Sequence, residues 1–263
     1  MTVPCGRCMA CRIRRTAEWT TRLLHELHGK PGCFVTLTYN NENLPVGETL
    51  VKEHLQLFMK RLRKQIEPTK IKYFACGEYG DKTNRPHYHA VIVNWMPDIE
   101  RCYRPGKTYL ASRDIERIWK YGNNTVGYPD REAIQYVVGY IRKKITGKMA
   151  EDYYEGRQPP FQLQSQGIGI QYAEAHKEQI LSKYEITRNG HNVGVPRYYR
   201  KKLIDKDTVE EYYYHKKCEE NKLLQMKPYE DDMKFYYYDK ASDQERRRKH
   251  MEAAEKLFKK GQF

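Results

Sequence analysis

Apolar positions recur along the first half of the chain in two rhythms, one helical and one strand-like. "RIRRTAEWTTRLLHELHGKPG" has helical spacing and a stop at Gly29 and Pro31, which predicts a helix from Arg12 to about His28. "CFVTLTYN" is β-branched and aromatic, a strand from Cys33 to Tyr39 ended by two asparagines. Between Thr49 and Ile66, the residues Val51, Leu55, Phe58, Met59, Leu62 and Ile66 share one helical face. Lys60, Arg61, Arg63 and Lys64 lie largely opposite, and Pro68 closes the helix. "IKYFACGEYG" gives a strand from Ile71 to about Gly77. After the turn-rich "GDKTNR", a further strand, "HYHAVIVNW", returns antiparallel to it. "SRDIERIWKYG" predicts a short helix capped by Ser112 and stopped by Gly122, and "NTVGYP" a short fourth strand. The order β-α-β-β-α-β is the split, ferredoxin-like arrangement, an antiparallel sheet with helices on one face.

"DREAIQYVVGYIRKKITGK" follows, a helix from about Arg131 to Thr146 with Asp130 as N-cap and Gly147 as stop. At about 100° per residue, Tyr136, Tyr140 and Lys143 fall within about 60° of one another. Ile134, Val137, Val138, Ile141 and Ile145 gather on the opposite, core-facing side. An exposed tyrosine pair at i, i+4 also suits mere surface stacking. Beyond Lys148 the pattern weakens. "EGRQPPFQLQSQGIGIQY" reads as a loop-rich link, and "HKEQILSKYEITRNGHNVGVPRYYRKKL" as a short helix, a turn and a Pro-containing extended piece. From Ile204 onward, long charged stretches with sparse apolar residues predict solvated helices, and no internal repeat is evident.

Charge changes the picture by pointing to a partner. Forty-eight Lys and Arg against 34 Asp and Glu leave +14, which favours a polyanion, nucleic acid first. Residues 200–263 hold 17 basic and 14 acidic residues, so +11 of that excess lies in residues 1–199. No apolar run approaches the length of a spanning helix and no signal-peptide pattern is present, which predicts a cytoplasmic protein. An apolar content of 39%, with 23 tyrosines, fits a folded chain with an aromatic-rich surface.

Seven cysteines without a secretory signal argue for reduced thiols or a metal site rather than a disulfide framework. Three of them, Cys5, Cys8 and Cys11 in "PCGRCMACR", have C-x-x-C-x-x-C spacing, which suits a structural zinc whose fourth ligand comes from elsewhere. His25, His28 and Cys33 are the nearby candidates; three free thiols are the alternative. In "NRPHYHAVIV", a strand's period of two puts His87 and His89 on one face, where two imidazoles can share one metal ion or can both be satisfied polar residues at a strand entry.

"CFVTLTY", "RPHYHAVIV" and "YVVGYIRKK" stand in the order and context of the three motifs of HUH-type endonucleases that initiate rolling-circle replication. With "PCGRCMACR" in front and "GIGIQY" and "VPRYYRKKL" behind, the chain resembles the replication initiators of the gokushovirus branch of the microviruses over roughly residues 4–203. The resemblance implies an α+β fold: a ferredoxin-like or RRM-like antiparallel sheet of four to five strands with helices packed on it, plus a mainly helical C-terminal extension. Four parts are expected: a Cys-rich segment and helix over 1–30, the endonuclease core over 31–148, a family-like segment over 149–203, and a charged, helical tail over 204–263.

It also implies a chemistry. His87 and His89 would hold a divalent ion, Mg²⁺ or Mn²⁺, together with an acidic ligand, for which Glu78 is the best match and Asp81 the fallback. Tyr136 and Tyr140 would be nucleophiles that form 5′-phosphotyrosyl bonds, and Lys143 would assist as the Y-x-x-K lysine. The chain departs from its relatives at Gly139, where many carry Lys, so Tyr140 is expected to make the initiating cut and Tyr136 to act in termination. Partners implied are single-stranded origin DNA, the replicative form and a host helicase, in the cytoplasm of an infected bacterium. The alternatives are a non-enzymatic single-strand-binding protein that stacks bases on aromatics and a plasmid or transposon enzyme of the same chemistry.

Overall fold

The structure, a computed structural model, describes residues 5–6, 8–81, 83–104, 107–143, 148–183, 185–188 and 191–204. The chain divides into two compact units, residues 1–175 and 176–263.

The first unit is built on five strands, β1 (Gly32–Tyr39), β2 (Lys72–Tyr79), β3 (Pro86–Val93), β6 (Gly122–Gly127) and β7 (Phe161–Gln164). They lie in the order β6-β1-β3-β2-β7 with every neighbouring pair antiparallel. Four of these are the predicted strands. The predicted helices between them are α2 (Lys52–Gln65) and α3 (Arg113–Ile118), so the ferredoxin-like core is as expected. Alternation along β1 explains the first core, because Cys33, Val35, Leu37 and Tyr39 all turn to one side. There they meet Leu55, Phe58, Met59 and Leu62 of α2 and Ile115 and Ile118 of α3.

The other face is covered too. Helices α1 (Met9–Leu27) and α4 (Arg131–Lys143) pack against each other, and Leu23, Ile134, Val137 and Val138 form a second core with Phe74, Cys76, Val91 and Val93. The core-facing side of α4 is therefore the one its spacing predicts; residues 144–147 and the side chain of Ile141 lie outside the described residues. Asp130 caps α4 as expected, accepting the Ala133 N–H at 2.7 Å. Ser112 does not cap α3: its hydroxyl has no partner, and its backbone N–H and C=O instead pair with the Asn124 side chain at 2.9 and 3.1 Å. Helix α1 begins three residues earlier than its spacing predicts and takes in Cys11.

Three features depart from the sequence reading. A separate hairpin joins β4 (Glu100–Arg104) to β5 (Lys107–Ala111). The link after Lys148 contains α5 (Lys148–Tyr154), then β7 as a fifth strand on the open edge of β2, and α6 (Ile170–Ala175). In the second unit, α7 (Lys177–Lys183) precedes a hairpin of β8 (Glu185–Arg188) and β9 (His191–Gly194), and the piece expected to be extended forms α8 (Arg197–Leu203). Pro196 stands at its N-cap, where a missing N–H costs nothing, and its carbonyl accepts the Arg200 N–H at 3.1 Å. The tail expected to be helical lies outside the described residues from 205 onward. Among the described residues, no helix is long and apolar enough to cross a membrane.

One buried carboxylate ties the triad-bearing side of the sheet to α1. Glu26 is 3% exposed and is held by Lys30 at 2.7 Å, by Lys72 of β2 at 2.9 Å and by the Gly169 N–H at 2.6 Å. Burial alone would raise its pKa, but the two ammoniums and the N–H outweigh it and hold the carboxyl below its usual range. A depressed folded-state pKa means that this stabilisation is complete above the unfolded carboxylate range and is lost as pH falls through the folded value. Glu26→Gln is expected to lower the unfolding free energy by about 2 kcal/mol at neutral pH and to flatten the acid limb. Urea titrations at several pH values would measure both, and an unchanged acid limb would count against it.

Candidate metal centre and tyrosine site

The β2–β3 pairing sets Glu78 opposite His87 and Cys76 opposite His89, and β1 sets Thr36 opposite His89 on its other side. With a period of two, Glu78, His87, His89 and Thr36 all lie on the face covered by α1 and α4. The three side chains converge. Glu78 Oε1 is 2.9 Å from both His87 Nε2 and His89 Nε2.

Each imidazole is oriented from behind. His87 Nδ1 donates to the Arg85 carbonyl at 3.0 Å, and His89 Nδ1 bonds the Thr36 hydroxyl at 2.9 Å. Phe34 stacks on the His89 ring with centroids 5.6 Å apart. Both Nε2 atoms are thereby turned toward the carboxylate, which is the tautomer a metal ligand needs. Burial works against a charged Glu78, but the two imidazoles outweigh it and hold its pKa below the ordinary range. Burial likewise lowers His89, whereas for His87 the charge of Glu78 prevails over burial and raises the pKa.

The trio passes a direct test of fit for a divalent ion. His89 Nε2 is fully buried and makes no hydrogen bond, although the carboxylate oxygen lies 2.9 Å away. That spacing is the one adjacent ligands adopt around a small cation, since bonds of about 2.1 Å at right angles separate donors by about 3.0 Å. The three donor atoms all lie within 4.8 Å of one another. Asp81 is exposed and does not join them.

Helix α4 brings both tyrosines over this trio. The Tyr136 hydroxyl donates to Glu78 Oε1 at 3.5 Å, and its ring meets His89 edge-on at 5.1 Å. Tyr140, one turn on, lies parallel to His89 at 6.1 Å and perpendicular to Tyr136 at 5.1 Å. Burial pushes the Tyr136 pKa up to about 12, a hydrogen bond with Tyr140 offsetting part of the rise and the Glu78 charge adding to it. Burial and the Glu78 charge drive Tyr140 higher still. Lys143 is the last residue of α4, and its side chain lies outside the described residues. Gly139 is buried, so no charged side chain accompanies Tyr136 from that position.

A second cluster lies at the start of α1. Cys5, Cys8 and Cys11 have sulfurs within 4.8 Å of one another, with Cys5 and Cys11 Sγ 3.9 Å apart and the Cys8 N–H bonded to Cys5 Sγ at 3.3 Å. None of the candidate fourth ligands joins them. His25 stacks on Tyr172 at 4.0 Å and His28 meets the same ring edge-on. Cys33 is fully buried in the first core, where burial pushes its thiol up to about 12.

Residues 32–145, the stretch that carries the sheet, the trio and α4, match the family model for the replication-associated protein ORF2. The replication-associated protein ORF2 of Spiroplasma virus 4 is 35% identical over 77% of this chain and 68% of its own length. The chain belongs to the replication-associated protein family. The replication-associated protein VP4 of Bdellovibrio phage phiMH2K is 32% identical over 75% of the chain and 66% of its length. For the replication-associated protein ORF4 of Chlamydia phage 1 the values are 29%, 78% and 55%. The chain thus spans about two thirds of two of these phage proteins and just over half of the third. No solved structure matches it.

Within this replication-associated protein, the sequence reading names the three converging donors and the two tyrosines but misses the residues that orient them. Thr36, Phe34 and the Arg85 carbonyl emerge only from strand register. Thr36 is legible in retrospect as the polar residue on the other face of an otherwise core-facing strand.

Proposed function

We propose that this protein is a site-specific single-strand DNA endonuclease and ligase. It nicks a replication origin through a 5′-phosphotyrosine intermediate and so starts and ends rolling-circle replication of a small single-stranded DNA phage of the microvirus type. The observation that carries the reading is the juxtaposition of two tyrosine hydroxyls, one helical turn apart, with a buried Glu-His-His trio. A divalent ion held by His87, His89 and Glu78, Mg²⁺ or Mn²⁺, would polarise the scissile phosphate and favour the phenolate.

The chain's own residues do the rest. Glu78 Oε1 accepts the Tyr136 proton, the phenolic oxygen attacks phosphorus, and the bond to the 3′ oxygen breaks, leaving a free 3′-hydroxyl. The bond energy is kept in the phosphotyrosine for rejoining. The excess of Lys and Arg over residues 1–199 supplies sequence-independent affinity for the phosphate backbone. Because Tyr136 reaches Glu78 and its pKa is raised less, the geometry favours Tyr136 for the initiating cut, the reverse of the order suggested by Lys143. The setting is the cytoplasm of an infected bacterium, with a host helicase opening the nicked duplex. The test is to mix the protein with labelled single-stranded origin DNA and Mn²⁺ and look for a covalent adduct; stoichiometric binding without any adduct would make it a single-strand-binding protein instead.

The cysteine cluster fits a structural zinc. Tetrahedral bonds of about 2.3 Å separate sulfurs by about 3.8 Å, close to the Cys5–Cys11 spacing of 3.9 Å. One equivalent of zinc per chain is expected in metal analysis, with the three thiols protected from titration until a chelator is added. Three freely titratable thiols and no zinc would make them ordinary reduced cysteines.

A further inference from the structure

Beside the trio lies a cavity of about 470 Å³ that nicking by itself does not explain. Glu78 and Tyr140 form one wall, so it opens directly onto the place where a scissile phosphate would sit. The opposite side comes from α5 and the residues after it, a segment that the nicking reading leaves without a role. We propose that this cavity is a base-binding subsite, which takes the unpaired nucleobase next to the scissile phosphate and selects bases with an exocyclic amino group. The proposal rests on the nicking reading for the identity of that phosphate.

The cavity has flat, aromatic surfaces held ready. Tyr79 is fixed by its hydroxyl, which donates to the Gln158 carbonyl at 2.8 Å and accepts the Leu50 N–H at 3.1 Å. The Arg157 guanidinium lies over its ring at 4.9 Å, and the buried Tyr154 stacks alongside at 6.1 Å. Tyr153 stands at the rim with 62% of its surface exposed, perpendicular to Tyr154. An exposed tyrosine over a rigid aromatic floor offers the faces between which a base stacks.

Charge argues for a base rather than a second phosphate. Among the described residues that line the cavity, two carboxylates, Glu78 and Asp81, stand against the guanidinium of Arg157. Asp81 and Asn84 come from the connection between β2 and β3, which is closed by Asn84 N–H to Gly80 C=O at 2.8 Å and Gly80 N–H to Arg85 C=O at 3.1 Å. One hairpin therefore carries both the phosphate-side ligands and the groups at the cavity. A carboxylate accepts from the amino groups of cytosine, adenine or guanine, and an Asn amide pairs with adenine, whereas thymine offers O4 and no amino group.

The test uses the full chain with Mn²⁺ and a pool of randomised single-stranded oligonucleotides, sequencing the DNA left covalently on the protein. Thymine is expected to be depleted about tenfold at one position adjoining the linkage, and the Asp81→Ala, Asn84→Ala double variant to restore it there alone. Tyr153→Ala should lower adduct yield about tenfold, while Tyr153→Trp, which keeps a stacking face, retains it. Thymine depletion that persists in the double variant, or Tyr153→Ala capturing DNA as wild type does, would overturn the subsite. If the wild-type chain captures no DNA, the nicking reading fails. Binding of an oligonucleotide containing 2-aminopurine then still decides the subsite: fluorescence quenched by wild type and not by Tyr153→Ala supports it, and equal quenching or none overturns it.

Discussion

His87→Ala and His89→Ala are each expected to lower DNA nicking by about a thousandfold or more while leaving most single-strand binding in place. Nicking and binding draw on different groups. Affinity comes from many Lys and Arg spread over the chain, each neutralising a phosphate, so one histidine removes little of it. Cleavage depends on one ion at one phosphate, and the trio offers three protein donors with no described fourth to replace a lost one. Excess chelator should reproduce both variants, and added Mn²⁺ should rescue the chelated wild type but not the alanine variants. Glu78→Ala should cost as much as either histidine, because Glu78 Oε1 is the atom common to both short contacts. Undiminished nicking in chelator would end the metal reading. Loss of affinity alone in His87→Ala would favour a binding protein.

The ferredoxin-like core was legible because its strands and helices alternate two clean periodicities, and the H-x-H pair was legible because a strand's period of two is unambiguous. Glu78 could be matched from sequence because β2 and β3 are joined by a short connection, so their register follows from the turn. Other parts were not legible, for identifiable reasons. β7 has only four residues, just after two prolines, and becomes a strand because the edge of β2 is open to it. The β4–β5 hairpin is interrupted by Arg101, Arg104 and Lys107, which mask its alternation. Helix α8 follows a proline that reads as a breaker until the residue is seen at the helix start.

The second face of the sheet shows the same limit. Spacing along α4 correctly separates Val137 and Val138 from Tyr136 and Tyr140, yet it says nothing of which surface the apolar stripe covers. That surface is the sheet face carrying the trio. Packing α4 there buries the valines against Phe74, Val91 and Val93 and so puts the tyrosines at the rim of the same face, over the histidines. The site is thus a consequence of core packing, because a helix docked by its apolar side delivers its polar edge to a fixed height along β2 and β3.

From that docking follows the second large effect. Tyr136→Phe is expected to abolish the first covalent adduct, whereas Tyr140→Phe should form it and fail to release unit-length circles. Rolling-circle replication must cut once to start and again to finish, and while one tyrosine holds the 5′ end, a second must attack the regenerated origin. The two rings lie 5.1 Å apart at one helical turn, close enough to serve the same ion in turn. They are not equivalent. The Tyr136 hydroxyl is bonded to Glu78 and half-open to solvent, with 41% of the residue exposed, whereas Tyr140 is packed against the second core and its phenol is the harder to ionise. Losing a positioned nucleophile with no substitute removes the step altogether, so the double Phe variant should give no adduct at all. Gel analysis of adduct and circle release for the three variants decides the order. Adduct formed normally by Tyr136→Phe and lost in Tyr140→Phe would reverse the roles, and adduct in the double variant would remove both tyrosines from the chemistry.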